Sequence, residues 1–261
     1  MQYGICLLSI VPCRKEPDSR SEMVTQLLFG EQYSIVEITE SWISIITAYD
    51  NYPCWINARQ HSRLSENVFH ELQKQPAVYS SELVQVIHNT ASSVSFPISL
   101  GASLPFFKSR LASVETFRFD FDGQTCIAGE KKTIPELIST AFLFLNAPYL
   151  WGGKSPFGVD CSGFTQLVYK LSGYKLPRDA AQQVELGTPL SFVEEAEAGD
   201  LAFFDNEEGK IVHVGILLNN EQIIHASGFV RIDRFDHYGI FGSDAKKYSH
   251  TLRVIKRLIQ R

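Results

Sequence analysis

The stretch Tyr149-Leu-Trp-Gly-Gly-Lys-Ser-Pro-Phe-Gly-Val-Asp-Cys161-Ser-Gly-Phe-Thr-Gln-Leu-Val-Tyr169 places a cysteine where an irregular loop becomes a helix. Glycines and a proline keep the loop irregular. Asp160 is predicted to be the N-cap, because apolar residues then recur at helical spacing until Gly173. A cysteine in the first turn lies near unpaired backbone N–H groups, which stabilise a thiolate. The stretch therefore predicts a nucleophilic Cys161, although a buried structural cysteine is the commoner use of this residue type.

The composition is that of a globular protein without a nucleic-acid or membrane signature. The 261 residues are 44% hydrophobic and carry a net charge of −5, which argues against partners such as nucleic acid or anionic membranes. No apolar run approaches the ~20 residues of a membrane span. The N-terminal residues lack a basic leader and a cleavage site. The five cysteines include no C-x-x-C pair. We therefore expect a cytoplasmic protein without a disulfide framework or a cysteine-based zinc site.

The front of the chain has the texture of a small all-β barrel. Residues 32–39 and 42–47 are rich in β-branched side chains and are separated by a tight turn. Too few residues are present for a layered sandwich, so residues 1–60 are predicted to form a barrel. The sequence here resembles the bacterial SH3-like domains that are attached to cell-wall hydrolases. The resemblance rests on residues 11–14, 21–26, 28–31 and 52–55.

The remainder divides into a linker, a second β-rich region and an α+β domain. Residues 61–76 are polar and are predicted to be a linker with a short helix. Residues 77–130 are strand-like, notably at 83–87 and 113–119, and are predicted to be a second, degenerate barrel. Thr133 and Glu136 form a capping-box pattern that begins a helix, and Asp179 is a predicted N-cap of a short helix. Strands are then predicted at residues 200–204, 212–218, 222–226 and 251–259, which indicates an α+β domain with an antiparallel sheet.

Two histidines flank the turn signal at residues 219–221. If the turn is centred on Asn219, His213 and His225 are directly opposed on one face of the sheet. A register slip of one residue would place them on opposite faces. With Cys161 they would form a set of nucleophile, base and orienting residue. A zinc site built from the same three side chains is the alternative, disfavoured because three ligands without a companion cysteine are too few.

Residues from about 130 to 259 resemble the NlpC-type cysteine peptidases of bacterial cell-wall peptides. The matching motifs occur in the family's order at residues 149–153, 160–164, 177–179, 198–204, 213–216 and 225–226. The resemblance implies a papain-like NlpC-type catalytic domain over residues 131–261, preceded by one or two small all-β SH3-like barrels. It also implies Cys161 as nucleophile, His213 as general base and His225 as the residue that orients it. It implies no metal and no cofactor.

An NlpC-like domain behind SH3-like modules further resembles the γ-D-glutamyl-L-diamino acid endopeptidases of cell-wall peptide recycling. That subgroup requires a free N-terminal L-alanine on a small peptide substrate. Ala180 stands where the subgroup often has serine, which removes one hydrogen bond to substrate. The resemblance implies six substrate-binding residues: Tyr149, Asp160, Ser162, Asp179, Glu22 and Tyr52.

The expected chemistry is attack by a Cys161 thiolate, held as an ion pair with His213, on the γ-glutamyl carbonyl. Two other activities remain open from the sequence. One is a general peptidoglycan hydrolase acting on intact wall, and the other is an acyltransferase that uses the same cysteine and histidine. A wall-binding protein without activity is disfavoured by the intact set of three residues. The sequence leaves open whether the diamino acid is diaminopimelate or lysine, and which oligomer forms.

Overall fold

A computed structural model describes residues 1–242 and 246–260, which divide into two compact units. The first unit comprises residues 1–130 together with the segment Trp151–Pro156. The second begins at Lys131 and contains the remainder of the chain. Each unit has its own main sheet and its own apolar core.

An antiparallel sheet opens the first unit. Its strands are β1 (Gln2–Ile5), β2 (Ile10–Arg14), β3 (Met23–Leu28), β4 (Gln32–Ile38), β5 (Trp42–Thr47), β6 (Pro53–Asn57) and β7 (Ser62–Leu64). They lie in the order β3-β2-β6-β5-β4-β1-β7. Buried and partly exposed side chains alternate along β2 and β5, as a sheet with one face on a core requires. The strands predicted at residues 32–39 and 42–47 are confirmed as β4 and β5.

One apolar core lies under this sheet. Its members lie on strands β2 to β6 or, for Cys6, directly after β1, and are Cys6, Val11, Cys13, Leu27, Tyr33, Ile35, Ile43, Ile45, Cys54 and Ile56. Helix α1 (Glu66–Lys74) follows β7, and its Phe69 ring stacks on Tyr3 of β1 with 4.0 Å between ring centroids. The short helix predicted within residues 61–76 is therefore confirmed, and ring stacking holds it against the sheet.

Short strands fill residues 78–127. They are β8 (Val78–Ser80), β9 (Val84–Asn89), β10 (Val94–Ser99), β11 (Leu111–Val114), β12 (Phe117–Asp120) and β13 (Thr125–Ile127). Strands β10, β9, β12 and β11 form one sheet in that order, and β8 pairs with β13. The single strand predicted at residues 113–119 is wrong: Val114 pairs with Phe117 across a two-residue turn, and Glu115 there has a φ of +50°. A second barrel in this region stays a prediction.

The segment Trp151–Pro156 packs within the first unit, although residues of the second unit precede and follow it in sequence. It contains β14 (Lys154–Ser155), and the Lys154 ammonium lies 3.3 Å from both carboxylate oxygens of Glu31. Both side chains of this pair are buried, at 4% and 6% exposure. Gly152 has a φ of +74°, and a Cβ there would lie 2.3 Å from a backbone oxygen of β3. Glycine is therefore required for this close approach.

Three helices of the second unit begin at the caps that the sequence predicts. Helix α2 (Ile134–Phe142) follows Thr133, whose backbone N–H donates to the Glu136 carboxylate at 2.8 Å. After β15 (Gly158–Val159), helix α3 (Cys161–Leu171) begins with Asp160 as its N-cap. Helix α4 (Ala180–Gln183) begins with Asp179 as its N-cap. The predicted capping patterns are therefore confirmed.

The second unit is completed by a mainly antiparallel set of strands. They are β16 (Thr188–Pro189), β17 (Leu201–Asp205), β18 (Ile211–Leu217), β19 (Gln222–Ser227), β20 (Phe229–Asp236), β21 (Gly239–Gly242) and β22 (Lys247–Arg257). Their order is β16-β22-β17-β18-β19-β20-β21, and α3 packs on β18. The four predicted strands correspond to β17, β18, β19 and β22, whereas β20 and β21 were not predicted. Within the described residues, no helix is long and apolar enough to cross a membrane.

Candidate active site

Cys161 is the first residue of α3, and its side chain is buried. The helix begins here because the Asp160 carboxylate accepts a hydrogen bond from the Gly163 backbone N–H at 2.7 Å. An N-cap of this kind satisfies one of the backbone donors that a helix start leaves without an intrahelical partner. The cysteine is therefore held at a fixed helix terminus, as the sequence predicted.

A buried arginine fixes the cap, and the sequence analysis gave this residue no role. The Arg178 guanidinium donates to both carboxylate oxygens of Asp160, at 3.0 and 2.6 Å, and to the Ser162 hydroxyl at 2.9 Å. Arg178 is 1% exposed. Two parallel hydrogen bonds to one carboxylate fix both distance and orientation. Asp160 and Ser162 are thus positioned on either side of Cys161. The quoted motif at residues 177–179 was the signal that could have identified Arg178.

The two predicted histidines meet directly. Nε2 of His213 in β18 lies 2.8 Å from Nδ1 of His225 in β19, and both side chains are buried. The predicted register is wrong, however. Leu217 pairs with Ile223, so the turn is centred on Asn220 and the strands are shifted by two residues. A shift of two keeps both side chains on one face, and the histidines are diagonal neighbours across the sheet.

The Cys161 thiol lies beside β18. The backbone N–H of Val214, the residue after His213, interacts with this thiol and lowers its pKa, but the larger effects act in the other direction. Burial, followed by the charge of Asp160, raises the pKa of Cys161 to about 12. Burial and the neighbouring His225 and His250 hold the pKa of His213 well below its usual value. The preformed ion pair expected from the sequence is therefore disfavoured, since both shifts favour a neutral thiol beside a neutral imidazole.

Two further side chains complete the cluster, and sequence reasoning missed both. The Asp233 carboxylate of β20 lies 3.0 Å from Nε2 of His225. The His250 ring of β22 stacks on His213 with 4.1 Å between centroids and 25° between planes. Burial lowers the pKa of His250 to about 4, so this ring is neutral near pH 7. The predicted final strand began one residue after His250, and the strand that carries Asp233 was not predicted.

Tyr149 lies near Cys161 and Asp160, and Asp179 is the N-cap of α4. Tyr149 is half-buried, and its pKa is raised by burial first and then by the charges of Cys161 and Asp160. Its hydroxyl therefore stays protonated and can donate a hydrogen bond. Asp179 is also half-buried, and its backbone N–H donates to the Gln182 side chain at 3.4 Å. Helix α4, which it caps, packs on β18 and α3.

Glu22 and Tyr52 belong to the first unit. Glu22 immediately precedes β3, and its carboxylate accepts a hydrogen bond from the Trp151 indole N–H at 2.7 Å. Tyr52 immediately precedes β6 and packs against the apolar core under the sheet of β1 to β7. Both side chains thus have defined contacts within their own unit. Their predicted roles in binding substrate stay predictions.

The zinc alternative is not favoured by the arrangement of the histidine nitrogens. His213 Nε2 and His225 Nδ1 are hydrogen-bonded to each other, and His225 Nε2 is directed at Asp233. Ligands of one ion would direct their lone pairs at a common point instead. Among residues 1–242 and 246–260, no group of three or more histidine, cysteine, aspartate or glutamate side chains is arranged to hold a metal ion.

Comparison with known proteins shows the family to which the chain belongs. Residues 146–243 match the NlpC/P60 family, and residues 13–60 match the bacterial dipeptidyl-peptidase Sh3 domain. The gamma-D-glutamyl-L-lysine dipeptidyl-peptidase of Bacillus subtilis is 31% identical over 218 residues, which span 77% of this chain and 71% of that protein. The chain belongs to the NlpC/P60 family. It is a cysteine peptidase with an N-terminal SH3-like domain, and the resemblance read from the sequence is confirmed.

Other NlpC/P60-related proteins match over most of the chain. The Bacillus cereus gamma-D-glutamyl-L-lysine dipeptidyl-peptidase is 28% identical over 233 residues, covering 79% of this chain and 68% of that protein. A solved NlpC/P60 family protein from Bacillus cereus superposes with a TM-score of 0.83 at 21% identity, over 99% of this chain and 100% of its own. The structural match shows a shared fold. The catalytic roles of Cys161, His213 and His225 stay predictions, which the geometry described above supports.

Proposed function

We propose that this peptidase hydrolyses the γ-D-glutamyl–diamino acid bond of muropeptides that carry a free N-terminal L-alanine, in the recycling of cell-wall peptides. The observation that carries the proposal is the hydrogen-bonded pair His213–His225 on the strands beside the helix start at Cys161. Two relatives named gamma-D-glutamyl-L-lysine dipeptidyl-peptidase support this bond and make the L-lysine peptide the first to test.

In the first step, the Cys161 sulfur attacks the γ-glutamyl carbonyl carbon. The thiol proton moves to His213, and the sulfur forms the new carbon–sulfur bond. His213 is suited to accept this proton because its lowered pKa keeps it unprotonated at neutral pH. His213 then delivers the proton to the leaving amine of the diamino acid, which leaves a thioester on Cys161.

The negative oxygen of the tetrahedral intermediate needs hydrogen-bond donors. The backbone N–H of Cys161 is at a helix start, where such groups lack an intrahelical partner. The Tyr149 hydroxyl is a second donor, kept protonated by its raised pKa, which burial causes first. Each well-placed donor is worth about 3–4 kcal/mol of transition-state stabilisation. Water, activated by His213, then hydrolyses the thioester.

The free ammonium of the substrate's L-alanine requires a negative partner. An unpaired buried charge costs several kcal/mol, so a carboxylate at this position would discriminate strongly for the charged terminus. Asp179 is the proposed partner, because it is half-buried at the start of α4, which packs on β18. Asp160 is less suited to this role, since Arg178 already occupies both of its oxygens.

The test is incubation of the protein with L-Ala-γ-D-Glu-L-Lys and with its diaminopimelate counterpart, followed by mass spectrometry of the products. We expect cleavage of the γ-glutamyl bond, with one oxygen from isotope-labelled water in the released dipeptide. Cys161→Ala is expected to abolish cleavage. Cleavage at another bond, or none with either peptide, would overturn the proposal.

Further measurements distinguish the proposed activity from that of a general wall hydrolase and from that of an acyltransferase. An acetyl group on the alanine should lower kcat/KM by at least ~100-fold, which corresponds to roughly 2.7 kcal/mol. Asp179→Asn should lower kcat/KM on the free peptide to a similar extent. Equal rates on the free peptide, the acetylated peptide and intact peptidoglycan would indicate a general wall hydrolase. Transfer of the acyl group to an added amine, without water oxygen in the product, would indicate an acyltransferase.

A cytoplasmic location, expected from the sequence, remains part of the proposal. Fractionation of cells that express the protein from its native gene would test it. Roles of Glu22 and Tyr52 in binding the substrate are likewise proposed, and Glu22→Gln and Tyr52→Phe should raise KM more than they lower kcat if both side chains contact the peptide.

A further inference from the structure

Behind the two histidines lies a buried carboxylate. Oδ2 of Asp233 is 3.0 Å from Nε2 of His225, whose Nδ1 is 2.8 Å from Nε2 of His213. Asp233 and His225 are 6% and 1% exposed. A continuous line of hydrogen bonds therefore runs through the sheet from β20 through β19 to β18. At its far end is the Asp233 carboxylate. While it is ionised, this carboxylate accepts hydrogen bonds and cannot donate one.

Arg231 keeps Asp233 ionised. Its guanidinium donates to Oδ1 of Asp233 at 2.9 Å and also lies 2.8 Å from Oδ2. Burial by itself raises the pKa of Asp233, but the hydrogen bonds from His225 and Arg231 outweigh burial and leave the pKa below its usual value. The carboxylate is therefore a fixed acceptor and does not take a proton during the reaction.

The geometry points to Asp233 as a positioning residue that sets the tautomers of both histidines. Because a carboxylate accepts from His225 Nε2–H, the neutral His225 carries its proton on Nε2 and presents a lone pair at Nδ1. That lone pair accepts the Nε2–H of His213, which leaves Nδ1 of His213 without a proton. This inference rests on the proposed role of His213 as the base that serves Cys161.

The opposite tautomer would disable the site. If His225 carried its proton on Nδ1, it would donate to His213 Nε2 and move the His213 proton to Nδ1. The nitrogen needed to accept the thiol proton would then already be protonated. His250 cannot set this choice, because it stacks on the face of His213 and makes no in-plane hydrogen bond with it.

The same hydrogen bonds also stabilise His213 after it has accepted the thiol proton. When the thiol proton reaches His213 Nδ1, His213 becomes an imidazolium with N–H groups on both nitrogens. Its Nε2–H still needs an acceptor, and His225 Nδ1 is that acceptor only while Asp233 holds the other proton on Nε2. The proton later passes from His213 Nδ1 to the leaving amine, so Asp233 neither gains nor loses a proton in the cycle.

The variant that tests the inference is Asp233→Asn. Its amide has the size of the carboxylate, but its NH2 group can donate to His225 Nε2 and so favours the inactive tautomer. We expect kcat on the γ-glutamyl peptide to fall by at least ~100-fold with little change in KM, by analogy with the triad aspartate of serine peptidases, where the matching change costs about 10⁴-fold. Asp233→Glu should recover part of the loss.

The matched control is Asp236→Asn on the same strand. Asp236 accepts from the Tyr248 hydroxyl at 2.6 Å and from the Tyr238 backbone N–H at 2.8 Å, so it lies outside the histidine line. The control removes the same formal charge from β20, and kcat should stay within about twofold of the wild type. An equal loss in both variants would mean that charge or fold, and not the tautomer, is responsible.

A second readout needs no substrate. Nitrogen NMR of histidine-labelled wild-type protein should show the His225 proton on Nε2, and the same spectrum of Asp233→Asn should show it moved towards Nδ1. The inference is overturned if wild-type His225 carries its proton on Nδ1, or if Asp233→Asn keeps near-normal kcat. If the wild type fails to cut the peptide, the proposed substrate is wrong, while the NMR result still decides the role of Asp233.

Discussion

The position of Cys161 and its burial shift the pKa of its thiol in opposite directions. A helix start favours the thiolate, but burial, with the charge of Asp160, raises the pKa of the thiol to about 12. Burial lowers the pKa of His213 below the usual 6.5, so this imidazole favours its neutral form. We predict that kcat/KM keeps its acid limb below pH 6.5, because His213 loses its function as a base only when pH falls through its lowered pKa.

The rate of alkylation by iodoacetamide reports how far the Cys161 thiol is ionised at each pH. The rate at Cys161 should be low near neutral pH and should rise as the pH approaches the raised pKa of the thiol. Cys161→Ala corrects for labelling of Cys126, which is partly exposed. A rate that is already high and constant across the neutral range would show a preformed ion pair and would contradict the neutral resting state.

The buried ion pair between Arg178 and Asp160 gives a further prediction. Its side chain is 1% exposed and its partner Asp160 is 9% exposed, so Arg178→Leu leaves a buried carboxylate without the arginine. Breaking a buried pair from one side costs about 3–5 kcal/mol. The free energy of local unfolding at α3, measured by denaturant-dependent hydrogen exchange, should fall by about that amount.

The control for Arg178 is Arg253→Leu. That guanidinium is 64% exposed and lies 3.8 Å from Asp205, an arrangement worth little in water. Exchange at α3 should be unchanged in this variant. In Arg178→Leu combined with Asp160→Asn, part of the stability should return because the buried charge is gone. If Arg178→Leu exchanges like the wild type, the ion pair does not hold the helix start.

Residues whose roles follow from a local sequence pattern could be predicted from the sequence. Asp160 could be predicted as a cap and Cys161 as a first-turn cysteine, because capping depends on positions only three or four residues apart. Asp233 and His250 could not be reached in this way, since their approach to His213 depends on the order of strands β22-β17-β18-β19-β20. Strand order is set by long-range pairing, which a single sequence does not display.

Among the elements, the β18–β19 hairpin shows how a wrong register can still give the right face. The prediction centred the turn on Asn219, whereas the Leu218 backbone N–H donates to the Gln222 carbonyl at 2.9 Å across a three-residue turn. Side chains alternate with a period of two, so this shift of two residues left both histidines on one face. A shift of one would have separated them.

The new register places Gly215 against His225, and this close approach can be tested. A Cβ added at Gly215 would lie 2.8 Å from the Cβ of His225 and 2.7 Å from the nearest side-chain carbon of Ile223. Gly215→Ala should therefore displace His225 and lengthen its hydrogen bond to His213. We predict a fall in kcat of at least tenfold, which corresponds to about 1.4 kcal/mol, with KM nearly unchanged.

Gly242→Ala is the matched control in the same sheet. The nearest atom to its added Cβ is the Lys247 carbonyl oxygen at 3.6 Å, which is ordinary contact. This variant should keep wild-type kcat. Equal activity of Gly215→Ala and Gly242→Ala would contradict this prediction. Histidine NMR of both variants would show directly whether the His213–His225 hydrogen bond has changed.

Strand β20 was missed although its sequence carries a strand signal. Val230, Ile232 and Phe235 alternate imperfectly with charged residues, and no strand was predicted for this segment. Asp233 is buried there because His225 and Arg231 are its partners. Asp233 thus departs from the rule that ionisable side chains face water.

At the scale of the whole molecule, the division of the chain into two units determines which measurements are informative. The chain passes from one unit to the other at residues 130–131, 150–151 and 156–157. A protein built from two units need not unfold in one step, so a single melting temperature does not report on either unit. Hydrogen exchange, read peptide by peptide, assigns each loss of stability to its own unit.

The buried pair Lys154–Glu31 is the feature of the first unit best suited to such a measurement. Glu31 also accepts a hydrogen bond from the Leu28 backbone N–H at 3.0 Å, and the Lys154 N–H donates to the Gln26 side chain at 2.7 Å. Lys154→Met keeps an unbranched side chain of similar shape but leaves the Glu31 carboxylate buried without the ammonium. We predict that amides of β3 and of residues 151–156 exchange faster, by an amount equivalent to about 3–5 kcal/mol.

The control is Lys210→Met, because Lys210 and its partner Glu208 are 75% and 69% exposed. Such a surface pair contributes at most about 1 kcal/mol, so exchange throughout the first unit should match the wild type. Lys154→Met combined with Glu31→Gln should restore part of the protection, since the buried charge is then removed from both sides. If Lys154→Met leaves exchange in β3 unchanged, the segment is held in the first unit by backbone contacts such as that of Gly152, and the ion pair adds nothing.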